Sequence, residues 1–337
     1  MDKPAFDFTS AAFFSFKAMG RRPGAFVWIT LWQLILYAIV YGVGFWLIWP
    51  FYGEIFGALA RGREPEEADI LAHVARLVAG FGWLTVFGLL AALVAQGAWL
   101  RLLARDETAP GVPFRLGLDE LRLFGVNLAF IFLNLVFWSV LFGVVFVPNI
   151  IALESGGDTG AVLGGAAVSA LIAIAALIAW IILAIKFAAA PAMSVHQRRF
   201  RFFGSFAATG GITAWLLLVY LVLILIGIVG WVVVTMVQQV IGLLVAADLI
   251  GALAAVDPDA EPEVIFSILA DVVARPGVLV ALGLMIVVQT LFQVLFEAVW
   301  HGAGAYAALR HAGDRLAGPD AAPGAPADSV GDAPGEG

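Results

Sequence analysis

Gln289, Gln293, Glu297 and His301 recur every four residues near the end of an otherwise apolar stretch. In an α-helix that spacing stacks side chains along one face that turns slowly about the axis. Glu297 and His301 form an i, i+4 pair, and a carboxyl group beside an imidazole can relay a proton, bind a cation or hold a polar headgroup. The two glutamines would extend such a path. Gln96 belongs with the set, since Trp99 follows it by three residues as Trp300 follows Glu297. The same face has a plainer use. Polar side chains between membrane helices hydrogen-bond across the interface and hold the bundle together, at about 1 kcal/mol per bond. Both uses stay open. Other chemistry is scarce: His73, His196, His301 and His311 are dispersed, and there is no cysteine. A zinc-protease histidine pair, a phosphate-binding glycine loop, a nucleophile elbow and a dinucleotide fingerprint are all lacking. No catalytic residue, metal site or cofactor is expected.

The elements that must position these residues follow from solvation. Of the 337 residues 62% are hydrophobic and 13% charged, too little polar surface to coat a soluble globule of this size. Six runs lack Asp, Glu, Lys and Arg: 25–49, 77–100, 123–153, 159–185, 202–247 and 276–296. Each is long enough to cross a hydrocarbon layer, which takes about 20 helical residues. Without water every backbone N–H and C=O needs an internal partner, so such runs form helices. The expected fold is all-α, a polytopic membrane bundle of six transmembrane helices.

Side assignment comes from the basic residues. Alternating the loops puts fourteen of the 18 Lys and Arg on the side of the N-terminus and leaves Arg61, Arg63, Arg76 and Arg275 on the other. Cationic loops stay cytoplasmic during insertion, which predicts a bacterial inner-membrane protein with both ends inside. The acids gathered outside follow from export. Lys17, Arg21, Arg22, Arg198, Arg199 and Arg201 are candidate contacts to anionic headgroups, because phenylalanines beside them can sink to the acyl boundary. The bilayer is thus the expected partner, and short juxtamembrane basic groups exclude a nucleic-acid surface.

A repeat runs through the chain. Ser15-Phe16 to Gly20 matches Ser205-Phe206 to Gly210, and Gly57-Ala58-Leu59-Ala60 matches Gly251-Ala252-Leu253-Ala254. Pro65-Glu66, Ile70-Leu71-Ala72 and Arg76 match Pro262-Glu263, Ile268-Leu269-Ala270 and Arg275 in the same order. The repeat predicts that residues 202–247 cross once and continue as a helix near the outer surface. A middle unit has a shortened outer loop, and Phe114, Leu118 and Leu121 alternate with charges before its first span. The expected plan is one membrane domain, residues 1–312, of three hairpin units (about 8–105, 112–197 and 201–312). Each is preceded by an interfacial amphipathic helix, and the Gly-, Pro- and Ala-rich stretch 313–337 is a disordered cytoplasmic tail.

The Pro191 stretch with its following arginines, Ser205-Phe206 to Gly210, the long apolar run and the closing Tyr306 and Leu309 resemble a group of bacterial membrane proteins. That group includes the YciC-like family and the membrane domain attached to some glycerophosphoryl diester phosphodiesterases. The resemblance covers most of 112–312 and implies a six-helix domain. Phosphodiesterase activity does not carry over, because no soluble domain is expected after the last span to house it. Three functions are consistent with these residues. The first is a non-catalytic membrane protein organising lipid or partner proteins, the second a small-solute or proton-coupled transporter using the sixth span, and the third an intramembrane lipid-modifying enzyme.

Overall fold

The computed structural model describes residues 5–60, 67–109, 111–154, 159–254, 256 and 262–313. The expected tail beyond residue 313, and Pro65-Glu66 of the repeat, lie outside the described residues. Eleven helices follow one another among them: α1 (Phe8–Ala12), α2 (Phe14–Arg21), α3 (Pro23–Ala60), α4 (Glu67–Arg105), α5 (Leu118–Glu154), α6 (Thr159–Phe187), α7 (Ala190–His196), α8 (Ser205–Thr209), α9 (Thr213–Leu253), α10 (Pro262–Ala274) and α11 (Pro276–Ala312). The helices α3, α4, α5, α6, α9 and α11 are long and apolar enough to cross a membrane. The chain is a multi-pass helical membrane protein.

Most spans exceed what the hydrocarbon layer needs. With 38 residues in α3 and 41 in α9, a rise of 1.5 Å per residue gives about 57 and about 62 Å, roughly twice that layer's thickness. Within the 202–247 run, α9 starts at Thr213 and is one unbroken helix that continues to Leu253, a single candidate span. On the return the chain breaks between α10 and α11 at Arg275, whose backbone is extended (ψ 134°), ahead of Pro276. Proline cannot donate its nitrogen to the preceding turn and pushes the residue before it out of helical geometry, while suiting the first turn of a new helix. Leu77 stands in the matching place in the first unit and imposes no such break, so α4 is continuous there.

Pairing follows the chain order: α3 lies along α4, α5 along α6 and α9 along α11, while α11 also touches α2, α3, α4, α7 and α8. The densest packing lies at one end of the bundle, where α1, α2, α7, α8 and the close of α4 and α11 converge. There Ala189, Val195, Leu100, Ala305, Tyr306 and Ala307 are almost wholly buried. Small side chains allow that approach. A Cβ added at Gly304 would overlap the Ala188 carbonyl oxygen, and one at Gly302 the Ser15 hydroxyl. Away from this end the spans present Ile, Leu, Val, Phe and Trp outward along most of their length, as lipid-dissolved helices do.

One expectation needs correcting. No separate amphipathic helix precedes the third span: residues 112–117 are not helical, and Leu118 to Arg122 make the first turn of α5 itself. Glu120 turns inward there to a buried arginine, so the polar side of that turn faces protein. Pro148 lies inside the third span. The helix runs on to Glu154, and the Asn149 amide donates to the Val145 carbonyl and to the Ser169 hydroxyl on α6 (2.8 Å), which pins the hairpin near the proline.

Candidate functional site

Gln33 is the centre of a polar knot joining three spans. Its amide is fully buried on α3 and makes three hydrogen bonds, using both of its N–H donors and one lone pair of its oxygen. The Trp99 indole on α4 donates to Gln33 Oε1 (2.7 Å). Because an indole can only donate, this contact fixes the amide orientation and leaves Nε2 to donate elsewhere. It does so to Glu297 Oε2 on α11 (2.7 Å) and to the Tyr37 hydroxyl one turn along α3 (3.1 Å). The Tyr37 hydroxyl lies 3.5 Å from the same carboxyl oxygen. The other oxygen, Glu297 Oε1, is 3.8 Å from His301 Nε2, too far for a direct hydrogen bond. Both side chains retain partial exposure, 22% for Glu297 and 15% for His301. Ser15 on α2 closes the knot from the side by donating to the Ala298 carbonyl (2.7 Å).

His301 faces a second feature, a cavity of about 550 Å³ between α4, α5, α6, α7, α9 and α11. Its walls are mainly apolar, with Phe130, Trp180, Ile181, Ile185, Leu217 and Ile224 among them. Polar groups are few and localised. Asn127 donates to Gln96 Oε1 (2.8 Å), and His301 and the Tyr220 ring, packed 4.8 Å from Trp300, also line the wall. Apolar walls with a few fixed polar groups are the composition of small-molecule sites.

The four-residue row therefore does not act as one path. Each step of four residues turns the direction by about 40°, so Gln289 and His301 point about 120° apart. Gln289 accepts from Gln238 on α9 (3.2 Å), Gln293 is exposed, and only Glu297 and His301 come together. Gln96 meets Asn127 rather than Glu297, and shares the large cavity with His301.

The candidate headgroup residues divide as well. Arg22 pairs with Asp106 (2.7 Å) and Arg198 with Glu107 (3.3 Å), and Lys17 donates to the Ser10 hydroxyl (2.8 Å). Arg21, Arg199 and Arg201 are exposed and have no ion pair among the described residues. Of the phenylalanines beside them, Phe203 and Phe200 are exposed, whereas Phe202 is buried against Phe187 and Phe130. This aromatic group is thus part exposed and part core.

At the same end the junction of α4 and α5 holds a cluster not foreseen from sequence. Arg101 and Glu120 form a buried ion pair, with Arg101 also donating to the Pro113 carbonyl (3.2 Å) and Glu120 accepting from the Gly117 amide (3.0 Å). Arg105 reaches Asp119 (2.6 Å) and the Val195 carbonyl on α7 (3.2 Å). A buried pair this well satisfied fixes register more than it stabilises, since removing water from two charges offsets most of their attraction. No protein-family model matches the chain, and neither a curated protein nor a solved structure does.

Proposed function

We propose that this chain is a non-catalytic inner-membrane protein that holds an amphiphile, a lipid or a molecule with a lipid-like tail, in the cavity between α4, α5, α6, α9 and α11. One observation carries this: about 550 Å³ of mainly apolar space with Gln96–Asn127 and His301 as separate polar points on its wall. In a bilayer an apolar space is filled by acyl chains, and the amides and imidazole would hold a headgroup or a hydroxyl. The saturated Gln33 knot supports a structural rather than a reactive part for Glu297, since its carboxyl group already receives Gln33 and Tyr37. The excess of Lys and Arg on the side of the N-terminus supports cytoplasmic termini. The short helices α1–α2 before α3 and α8 before α9 support a repeated plan.

Site-resolved photolabelling tests the proposal. A diazirine-bearing fatty-acyl probe in vesicles should label peptides around 184–192 and 217–224 above lipid-facing peptides of α5 such as 131–142. Ala184→Trp, at an exposed cavity-wall position, should remove that excess while leaving α5 labelling unchanged. Equal labelling of all three regions in the wild-type protein refutes the proposal.

A proton-coupled carrier is the second proposal, favoured by the partial exposure of the Glu297–His301 pair and by His301 lying on the cavity wall. It requires solute or proton flux in reconstituted vesicles that Glu297→Gln abolishes, and unchanged flux refutes it.

A further inference from the structure

A second cavity, of about 340 Å³, opens at the end of the bundle where the arginines gather, away from the amphiphile site. Its composition is unusual for the mouth of a membrane bundle. Arg101, Arg105, Arg115, Arg122 and Arg198 line it, against three carboxylates, Glu107, Asp119 and Glu120. Glu120 is taken by Arg101. Asp119 is shared between Arg105 (2.6 Å) and Arg122 (2.7 Å), and Glu107 between Arg105 (3.2 Å) and Arg198 (3.3 Å). Five guanidinium groups against three carboxylates leave a surplus of two positive charges.

The surplus has an address. Arg115 is exposed and has no ion pair among the described residues. Arg105 has a side chain only 9% exposed, and its Nε–H finds no acceptor although both of its terminal nitrogens do. A buried donor without a partner costs about 1–3 kcal/mol, and a wall of guanidinium forks presents paired donors at the spacing of phosphate oxygens.

We infer that this cavity is a binding site for a phosphate group, with Arg115 supplying the contact that the protein's own carboxylates do not take and Arg105 adding its charge from the wall. The phosphate has two sources, a lipid headgroup reaching in from the adjacent leaflet or a soluble phosphate compound. This site differs from the exposed Arg199 and Arg201, which attract anionic headgroups without enclosing them.

The test uses the full chain in maltoside micelles and phosphate-free buffer. Inorganic phosphate is titrated in one arm and phosphatidic acid doped into the micelles in the other, with affinity read from the shift in unfolding temperature. At least one ligand should bind. Arg115→Gln should weaken it about tenfold, the loss of one charge-assisted contact. Glu107→Gln, which raises the surplus from two to three, should tighten it, and Arg199→Gln should leave it unchanged. Inorganic phosphate acting alone assigns a soluble ligand; phosphatidic acid acting alone assigns a headgroup. No binding in either arm overturns the inference, as does an Arg199→Gln loss as large as that of Arg115→Gln. Arg115 is exposed and makes no ion pair among the described residues, so its variant should fold, and wild-type unfolding temperature without ligand checks that.

Discussion

Replacing Gln33 by leucine tests whether the polar knot holds the bundle together. The substitution keeps most of the side-chain volume and removes three hydrogen bonds at once. Two of these cross between helices, from Trp99 at 2.7 Å and to Glu297 at 2.7 Å. Losing the bond to Glu297 costs about 0.6–1.7 kcal/mol, the range for polar contacts between membrane helices. The loss at Trp99 is larger in kind, because that indole is wholly buried and its N–H cannot turn to another acceptor. Stranding it costs about 1–3 kcal/mol. Together they amount to about 3 kcal/mol.

The assay is reversible unfolding in mixed micelles, titrating a denaturing detergent and following helicity by far-ultraviolet circular dichroism. A double-mutant cycle separates a hydrogen bond from simple loss of packing. In Gln33→Leu/Trp99→Phe the stranded donor and the vacated acceptor disappear together. The double variant is then less destabilised than the sum of the single variants by at least about 1 kcal/mol. If Gln33→Leu alone costs under about 0.5 kcal/mol, or the cycle is additive within that margin, the knot is not what joins α3, α4 and α11 and the reasoning fails.

The six spans could be read because lipid imposes one condition on every residue of a run, and the run records it in its length. Partnerships inside the bundle impose no such regularity. Gln33 is one amide in a 25-residue apolar run, and its partner Glu297 lies 264 residues away; no local period points from one to the other. The weak signal was the pair Gln33 and Tyr37, four residues apart on one face. Arg101 and Glu120 were masked differently. Each lies beside other charges at a membrane edge, where insertion alone explains basic residues, so only the hairpin between α4 and α5 reveals that they meet. Phe202 and Phe203 look alike in sequence, yet one is core and the other exposed, because Phe202 stacks on Phe187 of α6 and meets Phe130 of α5, partners that no local pattern announces. The row on α11 shows the limit of periodicity. A spacing of four shares a face over one step and leaves it over three.

Two further outcomes follow from single positions. Asp7 caps α1, and the Ser10 hydroxyl and amide bonded to it hold its carboxyl below the ordinary value of 3.8. A lowered folded pKa means that the cap contributes above 3.8 and loses its contribution as pH falls through the folded value. Protection of the α1 amides from hydrogen exchange should therefore drop between about pH 5 and about pH 2, and drop less in Asp7→Asn; equal drops refute the cap. Gly304→Ala sets two effects against each other. Alanine in a helix gains about 0.8–1 kcal/mol over glycine, but here its methyl group would overlap the Ala188 carbonyl oxygen, a backbone atom that cannot rotate away. Overpacking costs about 1–3 kcal/mol, so the net change is a loss. Gly283, on the same helix, has nothing within 4 Å of an added Cβ, and Gly283→Ala keeps the gain. Opposite signs in the same detergent titration are the expected result. Stabilisation by both would mean that the turn between α6 and α7 and helix α11 do not approach at Gly304, and that the dense end of the bundle is packed by something other than its small residues.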